Sequence, residues 1–221
     1  MSEIIEKMED FFAARADGYD EHMLCEVEGC REGYKLMAQL VPSGAHSLLD
    51  LGCGTGLELD EIFSVMPDID VTGIDLTQEM LDRLLAKHPE RSLHLICASY
   101  FDTQLGESMY DCAVSFQTMH HFSHASKTAL YKKIFRSLKE NGIYIECDYM
   151  VEEQSEEDFW YSENERIRRE QNIPADAFYH YDTPCTVSNQ ISMLLEAGFT
   201  RAEKVFRMEN TTIIVAYKAA R

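Results

Sequence analysis

The sequence predicts an α/β protein with a doubly wound, mostly parallel sheet that carries helices on both faces. Three observations lead to this prediction. Short apolar runs alternate with helical patterns from about residue 46 to residue 150, as in repeated strand–helix–strand units. The first apolar run ends in a turn with three glycines in five positions. Near the C-terminus, two apolar runs separated by a short turn at Asn210 predict an antiparallel pair.

Residues 1–42 are predicted to form a helical arm in front of the α/β domain. Residues 3–16 alternate charged and apolar positions at helical spacing. A second helix is expected from about 21 to 41. Apolar side chains recur in that range at spacings of three and four, namely Met23, Val27, Cys30, Tyr34, Met37 and Val41. Residues 42–44 (PSG) then break the chain.

Residues 43–221 are predicted to form the α/β domain. Its five parallel strands are expected in the apolar runs HSLLDL, DIDVTGID, LHLIC, YDCAVSF and GIYIECDY. Helices connect them, and we expect Thr77 to cap one helix and Asn141-Gly142 to end another. A last helix, TVSNQISMLLEAGF, precedes the antiparallel pair EKVFRME and TTIIVAYKA.

An insertion at about residues 150–184 interrupts the alternation after the fifth strand. It begins with a strongly charged helical stretch and continues into an irregular one with two prolines. Two aromatic clusters, Phe159–Tyr161 and Phe178–Tyr181, fall within it. Because the insertion follows a strand at the edge where such sheets bind ligands, we predict a lid that supplies substrate specificity. The alternative is that these aromatics complete the core under a surface helix.

Composition excludes several classes of protein. The formal net charge of −19 disfavours nucleic acid, whose binding rests on Lys and Arg contacts. No apolar run is long enough to span a bilayer, and the acidic N-terminus lacks the features of a secretory signal. The seven cysteines form no Cys-x-x-Cys pair, so we expect reduced thiols and no zinc site built from them. The chain is therefore expected to be cytoplasmic.

The glycine-rich turn, residues 49–56 (LDLGCGTG), predicts a ligand site. Bare glycines between a strand and a helix let the backbone touch a ligand, and the helix N-terminus offers free N–H groups. Asp75 ends the second strand, 75 − 54 = 21 residues after Gly54. An acid at that distance is placed to accept hydrogen bonds from ribose hydroxyls. The alternative is that the glycines only form a tight turn and that Asp75 caps a helix.

The turn departs from the dinucleotide fingerprint Gly-x-Gly-x-x-Gly. It resembles the first motif of the class I (Rossmann-like) S-adenosylmethionine-dependent methyltransferases of the small-molecule type. GIDLTQEM resembles their second motif, and the resemblance in pattern covers about residues 10–218. It implies a seven-stranded sheet with the last strand inserted antiparallel. It also implies a transferase that uses S-adenosyl-L-methionine as its cofactor.

The resemblance assigns cofactor contacts residue by residue. It implies that Asp50, Gly52 and Gly54 face the methionine half and that Asp75 binds the ribose. Leu76 and Met80 are implied to lie beside the adenine. Ser99 occupies the position where family members often carry an acid near the adenine amino group. The adenine contacts near Ser99 are therefore the part of the assignment in which this sequence departs from the family.

Two further segments resemble ligand-contacting parts of the family. FFAARADGYDEHM resembles the arm of small-molecule methyltransferases, which implies that Tyr19 closes over the cofactor and that Arg15 pairs with its carboxylate. The alternative is an amphipathic helix with a solvated Arg15. SFQTMHHF resembles the ligand-facing loop after the fourth strand, which makes Phe116 and Gln117 further candidates.

Methyl transfer from a sulfonium needs alignment of the acceptor and exclusion of water, and a base only if the acceptor starts protonated. His121 and His180 are the predicted catalytic residues. His120, Glu146 and Asp148 could also serve as the base. The alternative for a loop histidine is a packing residue with a satisfied hydrogen bond.

No metal site is predicted, because the spacing of the histidines and carboxylates matches no compact metal motif. A divalent ion between residues at the strand ends stays open as an alternative; the candidates are His120, His121, His124, Glu146, Asp148 and His180.

The sequence therefore predicts an enzyme that methylates a small-molecule acceptor. Its partners are expected to include no nucleic acid and no membrane, and a homodimer is left open. Two alternatives remain: a tRNA or protein methyltransferase, and a non-catalytic S-adenosylmethionine-binding protein.

Overall fold

The computed structural model describes residues 4–174 and 177–220 and shows a mixed sheet between two layers of helices. Its helices are α1 (Met8–Arg15), α2 (Tyr19–Cys25), α3 (Cys30–Leu40), α4 (Leu57–Val65), α5 (Gln78–Lys87), α6 (His124–Ser137), α7 (Gln154–Glu170) and α8 (Val187–Ala197). Its strands are β1 (Ser47–Leu51), β2 (Asp70–Asp75), β3 (Leu93–Cys97), β4 (Tyr110–Phe116), β5 (Leu138–Val151), β6 (Cys185–Thr186), β7 (Arg201–Met208) and β8 (Thr211–Tyr217). Residue 3, where the predicted first helix begins, and residues 175 and 176 within the predicted lid lie outside the described residues.

The strand order confirms the predicted doubly wound sheet. It runs β3-β2-β1-β4-β5-β8-β7, and the two-residue β6 pairs with the end of β5. The first five strands run parallel to one another. The last strand, β8, is inserted between β5 and β7 and is antiparallel to both. The order reverses between β1 and β4, which is the switch point where such sheets bind ligands.

Alternating side chains of the strands fill two apolar cores, one on each face of the sheet. Leu48 and Val114 point into the core under α3, α4 and α5, whereas Leu49 and Ala113 point into the core under α6 and α8. This alternation follows from the two-residue period of a strand. Burial on both faces explains why β1 is a nearly continuous apolar run.

The predicted helix from 21 to 41 is wrong in one respect, because the structure divides it into α2 and α3 at Gly29. Gly29 has φ +80°, which ends the helical path. A Cβ at this position would lie 2.9 Å from Met208 Cβ and 3.0 Å from Thr211 Cβ. The close approach of the β7–β8 turn therefore requires glycine here. The predicted apolar face still packs into the core, with Met23 and Met37 buried.

Two predicted helix boundaries also differ. α1 begins at Met8 rather than at residue 3, and α6 ends at Ser137 rather than at Asn141. β5 starts directly after α6 and contains the irregularity at Asn141, which has φ +62°. Thr77 is the N-cap residue of α5 as predicted, but its side chain makes no capping hydrogen bond.

The insertion after β5 packs against the N-terminal helix. α7 occupies its charged first half. In its irregular half, the N–H of Met8 donates to the Phe178 carbonyl (3.1 Å) and the N–H of His180 donates to the Glu6 carbonyl (3.0 Å). The Phe11 ring stacks on the His180 ring with centroids 3.5 Å apart. α1 and this half of the insertion therefore pack against each other and cover the switch point.

Within residues 4–174 and 177–220, the longest and most apolar helical stretches fall short of what is needed to cross a bilayer.

Gly29→Ala should destabilise the fold by about 1–3 kcal/mol, because alanine must adopt a left-handed conformation against the β7–β8 turn. Urea unfolding followed by circular dichroism measures the change. Gly44→Ala is the matched control, because a Cβ at Gly44 would meet no atom within 4 Å. Equal stability of the two variants would contradict this account of the break between α2 and α3.

Candidate active site

The sheet topology brings the predicted site residues to one edge. The glycine turn follows β1, Asp75 ends β2, and Gln117 follows β4. Because parallel strands share the position of their carboxyl ends, these segments lie side by side. Asp148 near the end of β5 and Thr211 at the start of the antiparallel β8 reach the same edge.

The glycine turn is shaped by one close contact and one open space. A Cβ at Gly52 would lie 2.7 Å from Thr118 Oγ1, so the loop after β4 packs directly on the turn. A Cβ at Gly54 would meet only Tyr19 Cε1 at 3.9 Å and the Gly52 carbonyl at 4.0 Å. The backbone at Gly54 therefore borders a space that a side chain would fill.

Asp75 binds the glycine turn through backbone hydrogen bonds. The N–H of Gly54 donates to Asp75 Oδ2 (2.9 Å), and the N–H of Thr77 donates to Oδ1 (2.8 Å). Burial raises the pKa of Asp75 above its ordinary value. A carboxylate oxygen can accept more than one hydrogen bond. Asp75 can therefore organise the turn and still accept bonds from a ligand.

Asp50 lies fully buried beneath the turn with Glu58 as its neighbour. Neither of its carboxyl oxygens accepts an N–H or a hydroxyl within the described residues, and the polar group beside them is the Glu58 carboxyl, with which Asp50 can share a proton. Burial raises the pKa of Asp50 to about 8. Burial and the charge of Asp50 hold the pKa of Glu58 well above its ordinary value. A buried acceptor without a donor is costly, so this position is suited to a ligand that brings a cationic or N–H group.

The arm packs over the glycine turn. Thr55 Oγ1 donates to Asp20 Oδ1, and Lys87 Nζ donates to Asp20 Oδ2 (3.3 Å), which fixes the start of α2 above the turn. Burial raises the pKa of Tyr19, whose ring lies next to Gly54. Arg15 reaches the same space, but its guanidinium donates to Glu6 Oε1 (3.0 Å). The Arg15 side chain is thus half-exposed and ion-paired with Glu6.

A small cavity lies beside Asp75. It is lined by Gly52, Asp75, Leu76 and Ser99 together with the rings of Phe101, Phe122 and Phe178. Ser99 Oγ accepts the N–H of Phe101 (3.2 Å), so its hydroxyl proton is available to donate. Phe178 of the insertion stacks on Phe101 with ring centroids 5.5 Å apart. Aromatic side chains enclose the cavity, and its polar groups lie at one side.

A larger cavity of about 770 Å³ lies beside Tyr19 and shares Phe12 with the small cavity. It is lined by Arg15 and Tyr19 from the arm, Gln117 from the loop after β4, and His180 from the insertion. Its volume lies within the range of roughly 300–1,000 Å³ typical of small-molecule sites. Aromatic and aliphatic side chains, among them Phe11, Phe12, Met23, Val27 and Tyr149, form much of its wall.

Three histidines and two aspartates meet in the wall of this large cavity. His120 Nδ1 is 2.6 Å from Asp148 Oδ1, and both residues are buried. Asp182 Oδ1 lies 3.4 Å from His120 Nε2, 3.4 Å from His121 Nδ1 and 4.0 Å from His180 Nε2. We call His120, His121, His180, Asp148 and Asp182 the histidine cluster.

The histidines of this cluster differ in charge. Burial alone lowers the pKa of His120, but the charges of Asp148 and Asp182 oppose it and raise the pKa to about 10. Burial and the neighbouring His120 hold the pKa of His121 well below its ordinary value. Burial also lowers the pKa of His180. In this structure His120 is the cationic member at neutral pH.

The structure brings most predicted site residues to the two cavities or to the turn between them, but it places Phe116 and Met80 elsewhere. Phe116 packs ring to ring on Tyr34 (3.8 Å), because β4 alternates and this position faces α3. Met80 is buried within α5, while Leu76 of the same motif lines the small cavity. Gln117 has φ +49° and donates its Nε2–H to Thr211 Oγ1 (3.4 Å).

Sequence reasoning missed Asp182 and the rings of Phe101 and Phe122. Asp182 belongs to an irregular segment in which no period or spacing marks a side chain as part of a site. The pattern His180-x-Asp182 was the one available signal, since two polar groups two residues apart in an extended segment share a side.

Comparison with known proteins finds one matching domain model and several relatives. Residues 48–142 match the family model described as a methyltransferase domain. A carboxy-S-adenosyl-L-methionine synthase of Nautilia profundicola is 26 % identical, with 97 % of this chain and 96 % of that protein covered. A synthase of the same name from Campylobacter lari is also 26 % identical over 97 % of this chain.

Two solved structures share the fold. An O-methyltransferase family protein from Burkholderia thailandensis superposes with a TM-score of 0.71 at 13 % identity, covering 97 % of this chain and 63 % of that one. Human N-acetylserotonin methyltransferase in complex with S-adenosylmethionine superposes with a TM-score of 0.64 at 16 % identity, covering 95 % of this chain and 55 % of that one. At these identities the likeness concerns the fold alone.

The glycine turn answered by Asp75, the inserted antiparallel strand and the matching domain model agree with one another. Residues 48–142 thus match a methyltransferase domain, and the comparisons support a class I, Rossmann-like S-adenosylmethionine-dependent enzyme with S-adenosylmethionine as its cofactor. The residues present fit this group: an open space borders Gly54, and Asp50 offers buried acceptors without a donor.

Asp50→Asn should change how the stability of the ligand-free protein depends on pH. The pKa of Asp50 is raised from 3.8 to about 8 by folding, so its favourable contribution is complete below the lower value and is lost as the pH rises through the higher one. Asparagine removes this loss. The melting temperature of the variant should therefore rise relative to wild type between about pH 4 and pH 8.

Thermal unfolding across that pH range measures the effect. The exposed Asp68 in the loop before β2 supplies the control, Asp68→Asn. A difference between Asp50→Asn and wild type that stays constant with pH would contradict the assignment of a buried, uncompensated carboxyl.

Proposed function

We propose that the protein transfers the methyl group of S-adenosylmethionine to a small-molecule acceptor that binds in the large cavity. The observation that carries this proposal is the position of that cavity. It extends from Tyr19, beside the glycine turn, to His121 and His180. A small molecule held there would lie between the cofactor-binding turn and polar groups that can orient it.

The cofactor contacts inferred from the sequence divide between the two cavities. Asp75, Leu76 and Ser99 line the small cavity and would hold the adenosine half, with Asp75 accepting from the ribose. Gly52 and Gly54 would let the methionine half of the cofactor approach the backbone. Asp50, buried beneath the turn, would accept a hydrogen bond from the ammonium group of the cofactor. When bound, S-adenosylmethionine supplies a methyl group on a sulfonium that leaves as a neutral thioether.

The chain's own residues would exclude water and orient the acceptor. α1 and the insertion cover the site together, with Phe11 stacked on His180. His121 and His180, the predicted catalytic residues, both line the large cavity. We propose that they position the acceptor's polar group, and that residues 150–184 act as the predicted lid. The aromatic cluster Phe159–Tyr161 is not part of this role, since Tyr161 donates to the Phe122 carbonyl (3.0 Å) and Phe159 is exposed.

A second candidate function follows from the relatives, which are named carboxy-S-adenosyl-L-methionine synthases. Such an activity would place a carboxylate within this cavity. Among the described residues that line this cavity, Arg15 is the one Lys or Arg side chain, and it pairs with Glu6. Four acids line the same cavity, namely Glu26, Glu28, Asp182 and Glu209. This excess of acid favours a cationic cofactor and an acceptor without strong negative charge.

The remaining partner predictions stand as proposals. The net charge of −19 supports the absence of nucleic-acid binding and disfavours the tRNA alternative. A cytoplasmic location and a homodimer likewise stay predictions.

A product assay tests the proposed function. The purified protein is incubated with S-adenosylmethionine carrying a labelled methyl group and with a small-molecule extract, and products are identified by mass spectrometry. We expect the label in a small molecule together with S-adenosylhomocysteine. Accumulation of carboxy-S-adenosylmethionine would support the second candidate, and unchanged cofactor with bound ligand would support the non-catalytic alternative.

A pair of variants tests the lid within the same assay. His180→Ala should lower turnover by roughly ten-fold or more if the imidazole positions the acceptor. His94→Ala is the control, because His94 is exposed on β3, the edge strand of the sheet, and does not line the large cavity. Melting curves of both variants report folding. Full turnover by His180→Ala would remove this residue from the proposed mechanism.

A further inference from the structure

The wall of the large cavity contains three converging polar atoms that no short hydrogen bond joins. Asp182 Oδ1 is buried and makes no hydrogen bond of ordinary geometry with a described residue. It lies 3.4 Å from both His120 Nε2 and His121 Nδ1, which are ion-pair contacts. Hydrogen bonds between nitrogen and oxygen prefer about 2.7–3.2 Å. Three potential ligand atoms therefore surround one point at distances longer than hydrogen bonds.

The separation of these atoms suits a shared metal ion. Zinc binds imidazole nitrogen and carboxylate oxygen at about 2.0–2.2 Å, so two ligands of a tetrahedral site lie roughly 3.4 Å apart. The ligand atoms of His120, His121 and Asp182 all lie within 4.8 Å of one another. His180 is somewhat farther from Asp182, at 4.0 Å, and we leave it outside the ligand set.

Surrounding contacts already hold two of these ligands in place. His120 Nδ1 is 2.6 Å from Asp148 Oδ1, so the ring donates there and turns Nε2 towards Asp182. A metal ion bound at Nε2 would displace the proton that this nitrogen carries in the cationic ring. Histidines that bind metals generally make such a bond to a carboxylate through the other ring nitrogen. Thr183 fixes the insertion to the same loop, because its N–H (2.6 Å) and its hydroxyl (2.9 Å) both donate to the His120 carbonyl.

We propose that His120, His121 and Asp182 bind one divalent first-row transition metal ion, such as Zn²⁺, in the wall of the large cavity. Two imidazoles and one carboxylate suit such an ion better than Mg²⁺ or Ca²⁺, which prefer oxygen ligands. His121 Nδ1 lies 3.3 Å from the Tyr181 carbonyl, and metal binding replaces that weak contact. His121 then acts as a ligand rather than as a base.

The site would place the ion beside the proposed acceptor. All three ligands line the large cavity, and a three-ligand site leaves a coordination position for water or for a heteroatom of the acceptor. The sequence spacing predicted no metal, because the ligands come from the loop after β4 and from the insertion, which only the fold brings together. Binding of the ion is measured without cofactor, so this inference can fail while the proposed function holds.

A second group of possible ligands, His124, Glu157 and Cys185, does not carry the same inference. Lys127 Nζ donates to Cys185 Sγ (2.9 Å), so an ammonium group already occupies the position beside the thiol. Glu157 accepts from the Thr186 N–H and from Asn189 Nδ2. The thiol and the carboxylate of this group are thus already bonded within the protein, and His124 Nε2 lies 2.8 Å from Glu157 Oε1. This group therefore serves as a control.

Isothermal titration calorimetry tests the proposal on full-length protein freed of metal by EDTA and dialysis. Zinc chloride should bind with one site per chain, and magnesium chloride should give no binding. Asp182→Ala and His121→Ala should each weaken zinc binding by roughly ten-fold or more, and Asp148→Asn by about 10–100-fold through the orientation of His120. His124→Ala should bind as wild type does. Circular dichroism and melting curves confirm that each variant is folded.

Fe²⁺ under anaerobic conditions and Mn²⁺ form parallel arms of the titration. One-site binding of any of the three ions that Asp182→Ala weakens supports the proposal, and their relative affinities identify the ion. The proposal is overturned if wild type shows no one-site binding, if Asp182→Ala binds as wild type does, or if His124→Ala alone loses the site.

Discussion

The carboxylate of Asp75 holds together the part of the molecule on which the site depends. One oxygen accepts the N–H of Gly54 and the other accepts the N–H of Thr77, so a single side chain joins the glycine turn to the start of α5. β1 and β2 lie in register side by side, which is what brings Gly54 within 2.9 Å of that carboxylate. The turn is held from the opposite side by the bond from Thr55 to Asp20. Its bare backbone therefore keeps one shape although glycine itself is flexible.

The same two segments, α1 and the insertion, line both cavities. Phe12 of α1 lines both cavities, while Phe178 of the insertion lines the small cavity and His180 the large one. Backbone hydrogen bonds join α1 to this part of the insertion. A cofactor in one cavity and an acceptor in the other would thus touch the same pair of segments. Coupling between the two binding events has a direct structural route through that pair.

The sequence predicted the sheet well, and the proximity of the glycine turn and Asp75, because both rest on local patterns. Apolar runs alternating with helical patterns indicate parallel strand–helix–strand units, and the spacing from Gly54 to Asp75 reflects one such unit. The wall of the large cavity was less accessible. The break at Gly29 depends on a contact with the β7–β8 turn, and Asp182 meets His120 only through the fold. Phe116 lies in the core against Tyr34, because the alternation of β4 turns this side chain away from the loop that follows it.

The most direct test of the central claim is calorimetric titration of S-adenosylmethionine into wild type and Asp75→Ala, with the exposed Asp82→Ala as control. The account predicts one site per chain in wild type and in Asp82→Ala. In Asp75→Ala the affinity should fall by about 1–3 kcal/mol, since a buried acceptor for the ribose and the anchor of the turn are both lost. A folded wild-type protein that binds no S-adenosylmethionine would contradict the claim, and undiminished affinity in Asp75→Ala would contradict the role given to Asp75.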